Sequence, residues 1–227
     1  MKLSVVIPVY NEAKTIEEVI ARVRRVSFPL EIIIVDDCSR DGTKEKLKAL
    51  EKQYPEINVV YSDPNRGKGF AIRYGFQFVT GDVVIIQDAD LEYNPQDYLR
   101  ILEVYKDRHA SVVYGSRFKG TCENMSFLQL FANKLFTFLT NLLHDVRLTD
   151  TCTCYKSFRA DIIKSLPLSS EGFEICHEIN AKLLRRNIPI TEVPIVYRAR
   201  TRKQGKKVDW KVFFTSIYAI CKFAFND

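Results

Sequence analysis

Short apolar runs rich in β-branched residues recur along the first half of this chain, and segments with helical periodicity separate them. Such runs are typical of strands that are buried on both faces of a sheet. The first intervening segment places Ile16, Val19, Ile20 and Val23 at helical spacing. Repeated strand–helix units predict an α/β fold with a doubly wound, mostly parallel sheet and helices on both faces. The predicted strands are residues 3–9, 31–35, 58–61, 83–87 and 112–114.

The composition is that of an ordinary soluble globular protein. The 227 residues are enough for one large domain or two small ones, and 27% of them are charged. The net charge of +6 is unevenly distributed, because residues 198–207 are densely basic. No apolar stretch at the N-terminus is long enough for a signal peptide, and no other stretch approaches the length of a membrane span.

The cysteines lack the paired spacing of a zinc site or a disulfide framework. Cys152 and Cys154 are too close in sequence for a CxxC motif. We therefore expect reduced cytosolic thiols, most of them packing residues. The six cysteines are Cys38, Cys122, Cys152, Cys154, Cys176 and Cys221.

The fourth apolar run, residues 83–86, leads almost directly into two aspartates one residue apart, Asp88 and Asp90. Asp is a poor strand former and is costly to bury unpaired, so we expect the chain to enter a cleft here. An Asp-x-Asp pair suits a hard divalent cation, which takes carboxylate oxygens and keeps room for water and substrate phosphates. The alternative is a strand-ending Asp followed by a helix cap, and the pair alone favours neither interpretation.

Polar residues follow each of the predicted strands. Ligands of doubly wound sheets bind beyond the carboxyl ends of the strands, so polar residues at all these ends predict one site. The acidic excess suits a metal or sugar hydroxyls, whereas Lys68 and Arg117 suit phosphates. Together they predict a nucleotide-diphosphate sugar with a divalent ion. The polar strand ends are residues 10–12, 36–37, 63–68, 88–90 and 115–117.

Gly67 and Gly69 call for a test of two other phosphate-binding patterns. No Ser or Thr follows Lys68, and no Gly stands five residues before Gly67, so the P-loop pattern fails. The dinucleotide fingerprint lacks its third glycine, because Ile72 stands at that position. Both nucleotide-cofactor patterns therefore match poorly.

Four motifs, at residues 8–12, 35–43, 65–69 and 88–90, resemble in order and spacing the signature of family 2 glycosyltransferases with a GT-A fold. Four more resemble the polyprenyl-phosphate hexosyltransferases, the branch of the dolichyl-phosphate mannose and glucose synthases. The resemblance covers residues 3–210. It implies an inverting, metal-dependent transfer of a hexose from GDP-mannose or UDP-glucose to a polyprenyl phosphate of the dolichyl or undecaprenyl type. The four later motifs are residues 115–118, 150–156, 192–195 and 200–210.

The same resemblance implies roles for individual residues on the donor side. Asp88 and Asp90 would bind Mg²⁺ or Mn²⁺ that bridges the diphosphate, and Glu92 would be an extra ligand. The metal would neutralise charge on the departing nucleoside diphosphate. The residues expected to contact the nucleotide-sugar are Pro8, Tyr10, Glu12, Asp37, Lys68, Asp88, Ala89, Arg200 and Lys206.

On the acceptor side, a phosphate monoester is already a nucleophile at neutral pH, because its second pKa is about 6. We expect Arg117 to hold it, since guanidinium donates bidentate hydrogen bonds to phosphate. Without the motif, a surface salt bridge is the alternative for Arg117. The alternative function is a family 2 transferase that acts on a saccharide in polysaccharide or glycan assembly. It would need a carboxylate base, for which Glu178 is the candidate, so the predicted catalytic residues are Asp90, Arg117 and Glu178.

Two segments rich in Phe and Leu, residues 127–143 and 212–225, are predicted to lie at a membrane interface. For the first, an ordinary buried helix is the alternative. The basic residues 198–207 favour a membrane surface over a nucleic acid, because no recognition helix or stacking aromatic residues accompany them. We expect a peripheral protein at the cytoplasmic face of the membrane. It would bind through these helices, through a membrane-anchoring partner or as a homo-oligomer.

The chain is predicted to contain a catalytic domain at residues 1–204, followed by a basic loop and an amphipathic C-terminal helix at residues 205–227. Within the domain, residues 1–114 would form the nucleotide-sugar half and residues 115–204 the acceptor half. The patterns at residues 150–156 and 205–210 favour the glucose-type branch. UDP-N-acetylglucosamine fits the same donor pattern.

Overall fold

The computed structural model describes residues 1–106, 110–200 and 210–225. It contains one seven-stranded sheet in the order β3-β2-β1-β4-β6-β5-β7. The strands are β1 (Leu3–Val9), β2 (Leu30–Asp37), β3 (Ile57–Ser62), β4 (Val83–Ile86), β5 (Val112–Glu123), β6 (Lys156–Arg159) and β7 (Ile190–Arg198). The helices are α1 (Ile16–Arg24), α2 (Thr43–Gln53), α3 (Lys68–Gly75), α4 (Asp97–Val104), α5 (Phe127–His144), α6 (Ala160–Ser165), α7 (Ile175–Arg185) and α8 (Trp210–Phe225). The predicted fold class is confirmed.

The first four strands form the parallel part of the sheet. Strand β1 pairs in parallel with β2 and with β4, and β2 pairs in parallel with β3. All four residues of β4 are buried, as expected of a strand that is covered on both faces. The carboxyl ends of these four parallel strands meet at one edge of the sheet. The residues that follow β1, β2, β3 and β4 therefore lie side by side.

The second half departs from a purely parallel sheet. Strand β6 is antiparallel to both β4 and β5 and lies between them. The sequence analysis missed β6, because Lys156–Arg159 contains no apolar run. Since β4 and β5 both run opposite to β6, they point the same way. Ser116 and Arg117 therefore lie at the same edge of the sheet as Asp88, although β5 extends nine residues beyond its predicted end at residue 114, to Glu123.

Helices α5 and α8 pack against each other and against α7 near this edge. Ser126 begins α5 with a capping box, in which Ser126 and Gln129 exchange hydrogen bonds. The rings of Phe136 and Phe213 lie 5.4 Å apart between α5 and α8. Both helices also leave large apolar side chains exposed, Phe127 by 83%. In the described ranges, every helix is too short or too polar to cross a membrane.

All six cysteines are free thiols in the structure. Cys154 is buried and Cys221 is exposed. Cys152, Cys154 and Cys176 line a cavity at the carboxyl edge of the sheet.

Candidate functional site

Two adjoining cavities open at the carboxyl edge of the sheet. The β1-side cavity, about 370 Å³, is lined by Pro8, Tyr10, Asp37 and other residues at or just beyond the carboxyl ends of β1, β2 and β3. The β5-side cavity, about 430 Å³, is lined by residues of β5, β6, α5, α7 and α8. The two cavities share a boundary, so one elongated ligand can extend through both. The residues that line both are Lys68, Asp88, Asp90, Phe173 and Arg200.

Asp37 is fixed on the wall of the β1-side cavity by the loop after β3. Its carboxylate accepts hydrogen bonds from the Ser62 hydroxyl at 2.6 Å, from the Arg66 amide at 3.0 Å and from the Gly67 amide at 2.6 Å. Gly67 has a φ of +100°, and a Cβ there would lie 2.6 Å from the Glu171 carbonyl oxygen. Only glycine allows this close approach without strain. The loop therefore preorganises the predicted base- and ribose-binding carboxylate.

Asp88 forms an ion pair with Lys68, the first residue of α3, with Nζ and Oδ1 2.5 Å apart. Burial opposes ionisation of Asp88, but the Lys68 ammonium outweighs it and holds the pKa of that carboxyl below its ordinary value. Asp88 is therefore ionised at neutral pH. The predicted donor residues Lys68 and Asp88 are brought into direct contact.

Asp90 accepts a hydrogen bond from Arg200 Nη2 at 2.7 Å and another from the Glu92 amide at 3.0 Å. Burial, and then the charges of Asp88 and Glu92, raise the pKa of Asp90 to about 7. Arg200 also lies 3.5 Å from Glu12, which joins the β1-side residues to this cluster. The boundary between the cavities thus concentrates negative charge that a bound cation would stabilise.

Glu92, the predicted extra metal ligand, lines the β5-side cavity. Its Oε2 accepts a hydrogen bond from the Tyr197 hydroxyl and its Oε1 from the Arg200 amide, each at 2.7 Å. These bonds hold Glu92 against the end of β7. In the part of the chain that the structure describes, no three His, Cys, Asp or Glu side chains are grouped as a metal site. Asp88 and Asp90 instead fit a Mg²⁺-type site, in which one or two carboxylates act with substrate phosphates.

Arg117 is buried and lines the β5-side cavity. Its Nε and Nη2 donate to the two oxygens of Asp150, both at 2.7 Å, and its backbone amide donates to the same carboxylate. The surface salt bridge considered for Arg117 is therefore wrong, because this pair is buried. The Asp150 amide in turn donates to Glu192, which fixes the carboxylate that orients the guanidinium.

Glu178 is not brought to the site. Its carboxylate accepts hydrogen bonds from the Ser169 and Ser170 amides, each at 2.8 Å, and pairs with Lys182 at 3.0 Å. These contacts pin the loop before α7 to that helix. The neighbours Cys176 and His177 line the β5-side cavity, whereas the Glu178 carboxylate faces the loop. The geometry therefore does not support Glu178 as a general base.

The remaining predicted residues are placed as follows. Tyr10 is half exposed at the mouth of the β1-side cavity. The Ala89 carbonyl accepts a hydrogen bond from the Thr15 hydroxyl at 2.8 Å, which joins the Asp88–Asp90 turn to α1. Lys206 and most of the basic segment lie outside the described residues.

Sequence reasoning gave no role to Phe173, which lines both cavities and is 59% exposed. Its loop crosses the start of α3, where the Glu171 carbonyl accepts from the Gly69 and Phe70 amides. Lys156 and His177, on the wall of the β5-side cavity, were also missed as site residues. The available signal was the pair of closely spaced glycines at the start of α3, Gly67 and Gly69, which indicates a close approach of another segment.

The model of the family described as Glycosyl transferase family 2 matches residues 4–166, which contain the Asp88–Asp90 turn and most of the β1-side cavity. The chain belongs to glycosyltransferase family 2. Its α/β fold is the one that the resemblance to this family predicts. It is similar to glucosyl-3-phosphoglycerate synthase from Mycobacterium tuberculosis, solved with Mn²⁺, UDP-glucose and phosphoglyceric acid. That structure is 19% identical with a TM-score of 0.75, over 100% of this chain and 80% of the other.

Curated relatives of this glycosyltransferase carry polyprenyl-phosphate names. The dolichol-phosphate mannosyltransferase of Pyrococcus furiosus is 30% identical over 98% of this chain, which spans 64% of that protein's length. The undecaprenyl-phosphate mannosyltransferase of Micrococcus luteus is 27% identical over 91% of this chain and 87% of its own length. Both names specify mannose, whereas the sequence patterns favoured the glucose-type branch.

Proposed function

We propose that this family 2 glycosyltransferase transfers a hexose from a nucleotide-sugar to a polyprenyl phosphate, with inversion at the anomeric carbon. The observation that carries the proposal is the position of Asp88 and Asp90 at the boundary of the two cavities. A diphosphate held at this boundary has its nucleoside in the β1-side cavity and its hexose in the β5-side cavity. The names of the curated relatives support the acceptor class.

On the donor side, Asp37 offers a fixed carboxylate to the base or ribose, and Tyr10 offers a half-exposed ring. Lys68 and Arg200 stand on either side of the aspartates and pair with them. Both cations are therefore within reach of a diphosphate at the boundary. Such charge-assisted hydrogen bonds orient the donor and stabilise the leaving group.

Asp88 and Asp90 would hold Mg²⁺ or Mn²⁺, and the ion would supply Lewis-acid stabilisation of the diphosphate when bound. The fit rests on the positions of the two carboxylates, which both line the boundary of the two cavities. The Mn²⁺ in the Mycobacterium tuberculosis synthase supports the use of a divalent ion. Glu92 would act indirectly, because it holds the backbone of Arg200.

On the acceptor side, Arg117 would bind the phosphate in the β5-side cavity. Asp150 uses the Nε and Nη2 of Arg117, and in the described part of the chain no hydrogen bond involves Nη1. An ionised phosphate monoester needs no base to become a nucleophile. The reaction would therefore depend on positioning and charge stabilisation, which agrees with the placement of Glu178 away from the cavity.

GDP-mannose is the donor that we propose, because the curated relatives reported above are mannosyltransferases. The polyprenyl chain would leave the β5-side cavity between α5 and α8. Both helices line that cavity, through Asn133, Phe136, Val212 and Ser216, and both expose apolar side chains. Such surfaces suit a peripheral position on a bilayer.

The proposal is tested by steady-state assays with Mn²⁺, a polyprenyl phosphate, and GDP-mannose, UDP-glucose or UDP-N-acetylglucosamine in turn. We expect nucleoside diphosphate release that depends on the lipid and is fastest with GDP-mannose. Arg117→Met should raise the KM for the lipid by about tenfold or more, since a charge-assisted phosphate contact is lost. Arg159→Met, an exposed arginine paired with Asp161, is the matched control. Turnover with a saccharide acceptor that is insensitive to Arg117→Met would contradict the proposal.

A further inference from the structure

Lys156, at the start of β6, is a buried cation with neutral partners. Its side chain is 1% exposed, and its ammonium donates to the Thr151 carbonyl at 2.8 Å and to Asn180 Oδ1 at 3.0 Å. It also lies 3.9 Å from the centre of the Tyr114 ring. Within the described ranges no carboxylate lies within ion-pair distance of it. A buried charge is costly unless an opposite charge compensates it, so this ammonium favours an anionic ligand.

Lys156 lines the β5-side cavity together with Arg117. The two cations differ in their charge balance, because Asp150 neutralises Arg117 while no carboxylate neutralises Lys156. The charge of Lys156 also acts on His177, another residue that lines this cavity. Burial and this charge lower the pKa of His177 to about 3. Of Arg117 and Lys156, Lys156 is therefore the cation whose charge no carboxylate of the described residues compensates.

Two further polar atoms in the same cavity wall have no hydrogen-bond partner in the part of the chain that the structure describes. They are the Thr153 hydroxyl oxygen and His177 Nδ1, and both side chains are buried. Buried polar groups normally find a partner in the protein, in water or in a ligand. These atoms are a second and independent indication that a polar ligand occupies this part of the cavity.

We propose that Lys156 and Thr153 form an anion subsite beside Arg117, and that this subsite binds the phosphate of the acceptor. The proposal rests on the polyprenyl-phosphate function proposed above and assigns two more residues to its acceptor site. Two N–H groups of Lys156 are used by Thr151 and Asn180, which leaves the third to donate to a phosphate oxygen. The Thr153 hydroxyl would donate a second hydrogen bond. The subsite would thus supply charge, while Arg117 supplies directional hydrogen bonds.

The test is calorimetric titration of the full chain with farnesyl phosphate, and separately with inorganic phosphate, in the absence of donor. We expect Lys156→Met to weaken binding of both by about tenfold or more, since a charged hydrogen bond is lost. Thr153→Val should weaken binding by about threefold to tenfold. Lys182→Met is the matched control, because Lys182 is a buried lysine that pairs with Glu178 and does not line the cavity. It should leave both affinities unchanged.

Circular dichroism first establishes that each variant folds. Folded Lys156→Met that binds farnesyl phosphate as the wild type does would overturn the subsite, even if the wild type transfers sugar to polyprenyl phosphate. If Lys156→Met does not fold, unchanged binding by Thr153→Val overturns it. If inorganic phosphate binding depends on Lys156 but no prenyl phosphate is glycosylated, the subsite stands and the proposed function fails.

Discussion

Arg200 Nη2 lies 2.7 Å from Asp90 Oδ2, across the boundary between the two cavities. The same guanidinium lies 3.5 Å from Glu12 and 3.6 Å from Glu92, so one cation is within ion-pair distance of three carboxylates from two segments, the loop after β1 and the loop after β4. In the proposed complex this guanidinium stands beside the diphosphate. The end of β7 therefore contributes to the donor site as directly as the end of β4 does.

Arg200→Met should raise the KM for the nucleotide-sugar by about tenfold or more, because a charge-assisted contact to the diphosphate is lost. The measurement is nucleoside diphosphate release at varied donor concentration and saturating lipid. Arg198→Met is the control, since the Arg198 side chain is exposed and pairs with Glu123. An unchanged donor KM in Arg200→Met would remove Arg200 from the donor site.

Glu178→Gln should lower stability without a comparable loss of activity. The buried Glu178 carboxylate accepts from the Ser169 and Ser170 amides and pairs with Lys182, so a neutral amide in its place should cost about 1–3 kcal/mol of unfolding free energy. Chemical denaturation measures this loss, and kcat is measured on the same preparation. A general base would behave differently, because its removal lowers kcat by about a hundredfold or more. Such a fall in kcat, with stability unchanged, would restore the saccharide-acceptor alternative.

The stability of the protein should fall as the pH is lowered below 6.5, partly through His177. Burial and the charge of Lys156 lower the pKa of His177 from 6.5 to about 3, so the folded state keeps this imidazole neutral. Between these values the unfolded chain binds the extra proton, and acid favours unfolding by roughly 1.4 kcal/mol per pH unit for this group.

In His177→Leu the unfolding free energy should fall less steeply as the pH is lowered below 6.5, because leucine binds no proton. Leucine should still pack against Phe136. Denaturation midpoints of the variant and the wild type are compared at pH values from 7 down to 4. His144, on α5 and less buried, is the control position, as His144→Leu should change the slope less. If the stability of the wild type and that of His177→Leu fall equally steeply between pH 7 and 4, His177 is protonated in the folded protein and the prediction is wrong.

Much of the structure around the β1-side cavity could be predicted from the sequence, because short local patterns specify its strands and its polar strand ends. The apolar runs fixed four parallel strands, and polar residues after each run marked a common edge. The Asp88–Asp90 pair comes soon after a buried strand, Val83–Ile86, which ends two residues before Asp88. Only the boundaries of the elements differ, as for β2, which spans Leu30–Asp37 rather than residues 31–35.

The β5-side half depends on contacts between distant parts of the chain. The family resemblance implied Glu92 as an extra metal ligand, but its hydrogen bond from Tyr197, 105 residues later, could not be predicted from the sequence. Glu178 was a candidate base because it is acidic, and its two amide partners are visible only in three dimensions. Strand β6 was missed because it contains no apolar run. Its residues Lys156 and Phe158 are buried because the strand lies between β4 and β5.

The central claim is tested most directly by following labelled mannose from GDP-mannose into the organic phase, with Mn²⁺ and polyprenyl phosphate. We expect a labelled lipid from the wild type, and a loss of about a hundredfold or more from Asp90→Asn, because the ion and the diphosphate lose a ligand. Asp161→Asn, an exposed aspartate paired with Arg159, should behave as the wild type does. GDP release at the same rate with and without the lipid, and no label in the organic phase, would contradict the account.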